Sequence, residues 1–97
     1  MKITDVKIYP FDTGRIGGRV RAVAEVIIDD ILLIRDIKVI ESKHGGLFIN
    51  FPKKKSSSNR FLEIVEPLSK EFAEEVRRAV VDKYKEMMNI NSEENFD

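Results

Sequence analysis

The sequence predicts an α+β domain in which an antiparallel sheet of four to five strands packs against one long C-terminal helix. Runs rich in β-branched residues fill the first part of the chain and are separated by proline, glycine and aspartate. The last third instead carries apolar residues at the three- and four-residue spacing of a helix. A length of 97 residues is typical of a single domain.

The first predicted strand is KITDVKIYP, whose alternation places Thr4, Val6 and Ile8 on one face. Pro10 ends regular pairing or places this strand at an edge of the sheet. The next segment, FDTGRIGG, is predicted to be a loop because its three glycines allow backbone angles that other residues avoid.

The following two runs, RVRAVAEVII and ILLIRDIKVIE, are separated by Asp29 and Asp30 and predict a β-hairpin. With these two residues as the turn, Ala24 lies opposite Arg35, and their shared face is apolar except for that arginine. The other face is apolar near the turn and charged further away. Because Asp-Asp is a less favourable tight turn than Asn-Gly, a loop longer than two residues is also open.

Three further elements complete the predicted fold. LFINF is a fourth strand stopped by Pro52, and RFLEIVEP, after a basic loop, is a short fifth strand or extended segment. Ser69 is a suitable N-cap for a helix of about twenty residues. The apolar stripe of this helix consists of Phe72, Val76, Val80 and Tyr84. We predict a domain over residues 1–88 and an acidic, disordered tail over residues 89–97.

The pattern of the hairpin also bears on the oligomeric state. A single helix covers one face of a small sheet but not both. Since the second face is half apolar, we expect something besides the helix to cover it. A homodimer, in which a second copy takes up the remaining apolar surface, is the simplest solution.

Composition excludes several kinds of site. The chain has no cysteine and a single histidine, so disulfides, thiolate sites and multi-histidine metal sites are impossible. We expect no cofactor and no small-molecule substrate. The N-terminus lacks the pattern of a signal peptide, and the apolar runs are too short to span a bilayer. We therefore expect a cytoplasmic protein that does not contact a membrane.

The sequence offers little support for catalysis. His44 lies in the predicted turn SKHGG without a second histidine as partner. Asp29, Asp30 and Asp36 are more typical of turns and strand faces than of a catalytic carboxylate pair. GRIGG matches neither common phosphate-binding glycine pattern, and no helix follows it. We predict that the protein is not an enzyme; a perturbed carboxylate pair in a deep pocket would favour the opposite.

Positive charge is concentrated locally, although 17 basic residues balance 17 acidic ones over the chain. The segment NFPKKKSSSNRF gathers four cations around three serines, and such a patch attracts polyanions. The primary candidates for nucleic-acid contact are Lys53, Lys54, Lys55 and Arg60, and the secondary candidates are Arg15, Arg19 and Arg21. The residues alone leave a merely solvated surface loop equally open.

Several short motifs follow one another in order: an Arg-Ala-x-Ala strand, an Asp-Ile-x-Val-Ile strand, Gly-Leu-Phe followed by proline, a basic pair, and Phe-x-x-Ile-x-x-Pro before a closing helix. They comprise Arg21, Ala22, Ala24, Asp36, Ile37, Val39, Ile40, Gly46, Leu47, Phe48, Pro52, Lys54, Lys55, Phe61, Ile64 and Pro67. As an ordered set they resemble the stage V sporulation protein G family. The resemblance runs from Lys2 to about Met88.

The resemblance implies a small bacterial protein that forms homodimers and binds DNA, and in some members RNA. It implies a regulator of gene expression linked to septation and sporulation, in which the basic pair Lys54 and Lys55 contacts nucleic acid. Residues 56–59 depart from the family's Thr-Pro-Asp-Gly-like turn, which leaves the preferred nucleic-acid sequence open. The alternative function is a protein-interaction adaptor whose basic loop is only solvated.

Overall fold

Six strands and one helix make up the part of the chain that the structure describes. The structure is a computed structural model that describes residues 1–10 and 18–94, with side chains described up to residue 88. The elements are β1 (Ile3–Pro10), β2 (Val20–Ile28), β3 (Leu32–Glu41), β4 (Leu47–Asn50), β5 (Lys53–Lys55), β6 (Phe61–Glu63) and α1 (Lys70–Glu94). The predicted α+β class is confirmed.

The main sheet is antiparallel with the strand order β1-β2-β3-β4, so each strand pairs with its neighbour in sequence. β5 and β6 form a separate two-stranded sheet. The predicted fifth strand therefore exists as β6, but it pairs with part of the predicted basic loop and not with the main sheet.

The turn between β2 and β3 contains three residues, 29–31, which is the longer of the two predicted loops. Asp29 and Asp30 have positive φ angles of 55° and 56°, and the Ile31 amide donates to the Ile28 carbonyl at 2.9 Å. Two central residues with positive φ match the right-handed twist of a hairpin, and aspartate tolerates this region better than most residues. The Asp29 carboxylate also accepts from the Lys2 amide at 2.8 Å.

The predicted register of this hairpin is wrong along its whole length, beginning next to the turn, where Ile28 lies opposite Leu32 and not opposite Ile31. Ala24 lies opposite Ile37 and not opposite Arg35. Two residues of β3, Arg35 and Asp36, lie opposite the single residue Glu25, which forms a β-bulge. Asp36 has a φ of 62°, and this left-handed residue lets the strand accommodate the extra position.

The bulge reverses the alternation of side chains along β3. Ile34 and Ile37 are both buried against the helix side, whereas Leu33 is exposed on the opposite face. The Arg35 side chain points out of the core, with its Nε 3.5 Å from a carboxylate oxygen of Glu25. Without the bulge, strict alternation would have placed Arg35 among the apolar residues.

Helix α1 lies across one face of the main sheet, where it contacts β1, β2 and β4. The predicted N-cap is confirmed, because the Ser69 hydroxyl accepts from the Phe72 amide at 3.1 Å. α1 continues to Glu94, beyond the boundary predicted at residue 88, and that boundary stays a prediction. The core between sheet and helix comprises Ile8, Ala22, Ala24, Val26, Ile28, Ile34, Ile37, Val39, Val76 and Val80, with Phe72 and Tyr84 at its margin.

The face of the sheet turned away from α1, which we call the outer face, has apolar residues on both sides of a charged row. On β2 it carries Val23, Glu25 and Ile27, the residues between the buried positions, and Glu25 lies beside Lys7 and Arg35. Tyr9 lies opposite Val23 and is 50% exposed, and Leu33 lies opposite Ile27 and is 39% exposed. None of the elements in residues 1–10 and 18–94 packs over this surface, and the predicted homodimer that would cover it stays a prediction.

Candidate nucleic-acid interface

The basic segment is a β-hairpin and not the loop that the sequence predicts. Lys53 pairs with Glu63, Lys54 with Leu62 and Lys55 with Phe61, and the Ile64 amide extends the ladder by donating to the Pro52 carbonyl at 3.1 Å. We call residues 53–63 the cationic hairpin. Pro52 is buried and anchors the start of the hairpin to the body of the domain. Its lysines are therefore displayed on a regular strand at fixed spacing.

The serines and the asparagine of this segment shape its turn. The Ser56 amide donates to the Arg60 carbonyl at 2.7 Å, and the Asn59 amide donates to the Ser56 carbonyl at 3.1 Å. Asn59 has a φ of 68°, which is the left-handed residue that a three-residue hairpin loop requires. The Ser56 hydroxyl accepts from the Arg60 amide at 3.3 Å and is 3.0 Å from the Ser58 hydroxyl. The hydrogen bonds of Ser56 thus hold Arg60 at the end of the turn.

All four primary candidates are exposed on the cationic hairpin. The Lys53 ammonium lies 4.0 Å from a carboxylate oxygen of Glu63, its cross-strand partner. Within residues 1–10 and 18–94, Lys54, Lys55 and Arg60 have no carboxylate within 4.0 Å. One exposed pair neutralises little of the charge, so the hairpin presents a net positive surface to solvent.

The secondary candidates are dispersed. Arg15 lies outside the described residues. Arg19 is exposed just before β2, and its carbonyl accepts from the Glu41 amide at 2.9 Å. The Arg21 guanidinium is 2.7 Å from the Glu41 carboxylate, so it contributes to the junction of β2 and β3. Nucleic-acid contact by these three arginines stays a prediction.

Sequence reasoning missed a cleft between the cationic hairpin and the β3–β4 part of the sheet. It has a volume of about 330 Å³ and is lined by Lys38, Asn50, Phe51, Lys53 and Phe61. Only Lys53 was a predicted site residue. The available signal was the alternation of β3 and β4, which places Lys38 and Asn50 side by side on the outer face.

The described residues show little that would support other chemistry. They contain no group of three or more His, Cys, Asp and Glu side chains that could hold a metal ion. His44 is exposed in a turn closed by the Ser42 amide, which donates to the Gly46 carbonyl at 2.7 Å. No helix in this part of the chain is long and apolar enough to cross a membrane.

The fold and site together define a small α+β protein with an exposed cationic β-hairpin beside its sheet. Comparison with protein-family models gives a match to the SpoVG model over residues 1–86. The chain belongs to the SpoVG family, which confirms the resemblance seen in its motifs.

Individual relatives agree with this assignment across most of the chain. A SpoVG protein of Finegoldia magna is 41% identical over 86 residues, which cover 89% of this chain and 76% of the relative. One from Clostridium perfringens is 33% identical over 94 residues, covering 97% and 100% respectively. One from Acetivibrio thermocellus is 39% identical over 84 residues, covering 87% and 85%. Each of these relatives carries the name "Putative septation protein SpoVG".

Proposed function

We propose that this protein is a homodimeric, non-catalytic nucleic-acid-binding regulator of gene expression, and that the cationic hairpin is its contact surface. The observation that carries the proposal is the display of Lys53, Lys54, Lys55 and Arg60 on one exposed hairpin, with a single carboxylate partner among the described residues. The names of the relatives support a link to septation, and the family resemblance extends this to sporulation control.

The physical basis of binding is the neutralisation of phosphates by these side chains. Each lysine or arginine that contacts a phosphate releases condensed counterions, which favours binding at low salt. Such contacts fix the position of the nucleic acid but read no base. The cationic hairpin alone therefore accounts for affinity, and the source of any sequence preference lies elsewhere in the complex.

The dimer that we propose would cover the apolar residues of the outer face. Ile27 with Leu33 and Val23 with Tyr9 form two apolar patches there, separated by the charged side chain of Glu25. A second copy is the occupant that we propose, because the same patch on two copies is self-complementary under twofold symmetry. Two cationic hairpins on one dimer then act on one polyanion, so the second contact forms at high effective concentration.

The test is a titration of duplex DNA and of RNA at several salt concentrations, with Lys53, Lys54 and Lys55 together replaced by alanine. Each phosphate contact with duplex DNA contributes roughly 0.9 to the slope of log affinity against log salt. We expect the triple variant to flatten this slope by roughly two to three units and to weaken binding at least about tenfold at low salt.

A matched control removes three charges from elsewhere on the surface. Lys70, Lys83 and Lys85 are exposed on α1, and their replacement by alanine changes the net charge by the same amount. This control is expected to keep nearly the full affinity and slope. Equal losses in both triple variants, or no loss in the hairpin variant, would contradict the assignment. Absence of salt-dependent binding in the unmodified protein would favour the adaptor alternative.

A further inference from the structure

The cleft beside the cationic hairpin differs in character from the rest of the positive surface. Its lining combines two lysines, two phenylalanines and the amide of Asn50 in a volume of about 330 Å³. A site that binds only phosphate groups does not require aromatic side chains in its lining. The combination of cation, ring and amide instead corresponds to the three parts of a nucleotide, namely phosphate, base face and base edge.

Phe61 is the most unusual member of this lining. Its ring is 69% exposed, although it sits on a strand and follows directly after Arg60. Phe61 lies opposite Lys55 in the hairpin, so a cationic side chain is the cross-strand neighbour of the ring in the two-stranded sheet. Exposed aromatic rings among lysines and arginines are the stacking platforms of proteins that bind single strands, because every base has a π face.

The polar groups of the cleft are positioned to hold the rest of a nucleotide. The Lys38 ammonium is 3.1 Å from the Asp36 carboxylate, and the Lys53 ammonium is 4.0 Å from the Glu63 carboxylate. Both ion pairs are partly exposed and contribute little, so a phosphate can replace either carboxylate as partner. The Asn50 amide has both donors and an acceptor for the edge of a base.

We infer that this cleft binds an unpaired nucleobase of a single-stranded nucleic acid. The base stacks on Phe61, Asn50 lies at its edge, and Lys38 and Lys53 bind the adjoining phosphates. In a duplex the faces of the bases are covered by their neighbours, so only the phosphates of a duplex reach the cationic hairpin. This inference rests on the proposed function and names its preferred substrate as RNA or DNA that is single-stranded.

The cleft lies at the β3–β4 side of the sheet. The apolar residues that we assign to the second copy lie on β1, β2 and the turn-proximal part of β3. The two surfaces adjoin on the outer face, because Lys38 of the cleft lies directly opposite Val23.

Fluorescence tests the stacking directly, because the chain contains no tryptophan. Phe61→Trp places a single indole in the cleft, and stacking on a base quenches indole emission. We expect strong quenching by a single-stranded oligonucleotide and little by a duplex of equal length. The matched control is Leu62→Trp, one residue further along β6, on the opposite face of the hairpin and also exposed. Equal quenching of both variants, or none in Phe61→Trp when binding is saturated, would overturn the inference.

Affinity provides the second test. Phe61→Leu keeps an apolar side chain and all charges but removes the ring, and it is expected to weaken single-strand binding about fivefold or more. The affinity of Phe61→Leu for duplex is expected to stay within about twofold of the parent value. Phe61→Tyr, which keeps an aromatic ring, is expected to retain single-strand binding. An unchanged single-strand affinity, or equal losses for single strand and duplex, would overturn the inference.

The design separates this inference from the proposed function. Replacement of Lys53, Lys54 and Lys55 by alanine is expected to weaken single-strand and duplex binding alike. If that triple variant loses binding while Phe61→Leu does not, the proposed function stands and only the base site is wrong. Titration with oligouridine and with oligothymidine distinguishes RNA from DNA as the bound strand. Quenching of Phe61→Trp emission by either oligonucleotide supports the inference.

Discussion

At the scale of single residues, Glu74 and Arg77 show how a solvent-facing helix pair acts on a titratable group. The Arg77 guanidinium donates to the Glu74 carboxylate through Nε at 2.9 Å and also through Nη2. This hydrogen bond, and then the positive charge of Arg77, hold the pKa of Glu74 below its ordinary value. Because the pKa of Glu74 is lowered in the folded state, the pair stabilises the fold at pH values above the ordinary pKa of a glutamate. That stabilisation is lost as the pH falls through the lowered pKa.

Replacement of Arg77 tests this pair. In Arg77→Gln the guanidinium is lost, so the pKa of Glu74 is expected to rise towards its ordinary value. A carbon-detected NMR titration of the glutamate side chains measures this shift. The stability difference between the variant and the parent is expected to be small at neutral pH, since the pair is exposed, and to vanish in acid. An unchanged Glu74 titration would show that another group sets its pKa.

At the scale of elements, the bulge in β3 decides which side chains form the core. Asp36 adopts a left-handed conformation there, and this lets Ile34 and Ile37 face the helix while Arg35 points away. A strand with strict alternation could not bury both isoleucines, because they are three positions apart. Without the bulge, the same sequence would therefore place Arg35 inside the domain.

Two substitutions at Asp36 isolate the backbone requirement. Asp36→Gly and Asp36→Val both remove the carboxylate that pairs with Lys38, but only glycine adopts the positive φ without strain. Asp36→Val is expected to lower the free energy of unfolding by about 2 kcal/mol relative to Asp36→Gly. Urea denaturation followed by circular dichroism gives both values. Similar stabilities would indicate that β3 loses its bulge and changes register.

The elements also show how far the sequence could predict the structure. Alternation and helical spacing were sufficient for β1, β2, β4 and α1, because each buries a single continuous face. The bulge at Asp36 could not be predicted, because a left-handed aspartate within a strand leaves no local signal and is selected by packing of Ile34. The cationic hairpin was interpreted as a loop, since three lysines and three serines have low strand propensity. Pairing between Lys55 and Phe61 overrides that propensity.

Only part of the candidate site could be predicted from the sequence. Local charge identified Lys53, Lys54, Lys55 and Arg60, because cations that gather in sequence also gather in space on a short hairpin. The cleft residues Lys38, Asn50 and Phe61 come from three different strands. Only the pairing of β3 with β4, and the placement of the hairpin beside them, brings these residues together.

At the scale of the whole molecule, the described residues cover one face of the sheet and leave the other open. One helix supplies the covered side, and the apolar residues of the outer face are those that we assign to a second copy. Leu33 is a suitable probe of this surface because it is 39% exposed in the single chain and lies on the outer face opposite Ile27. A charge at this position would be buried in the dimer and solvated in the monomer.

Leu33→Glu is expected to convert the dimer into a folded monomer, because two carboxylates would be brought into an apolar interface. Sedimentation velocity at micromolar protein concentration measures the change, and circular dichroism confirms that the fold is kept. The matched control is Ile31→Glu, in the exposed turn between β2 and β3, which is expected to remain dimeric. A monomeric parent protein under the same conditions would contradict the proposed dimer.

The cationic hairpin forms its own two-stranded sheet, and its ladder shares no backbone hydrogen bond with the four-stranded sheet. Selection on residues 53–63 is therefore largely free of the packing constraints that act on the core. The charge of this segment can therefore change while the scaffold is retained. Exchange of the segment between two members of the family is expected to transfer the affinity for nucleic acid and its salt dependence, but no sequence preference.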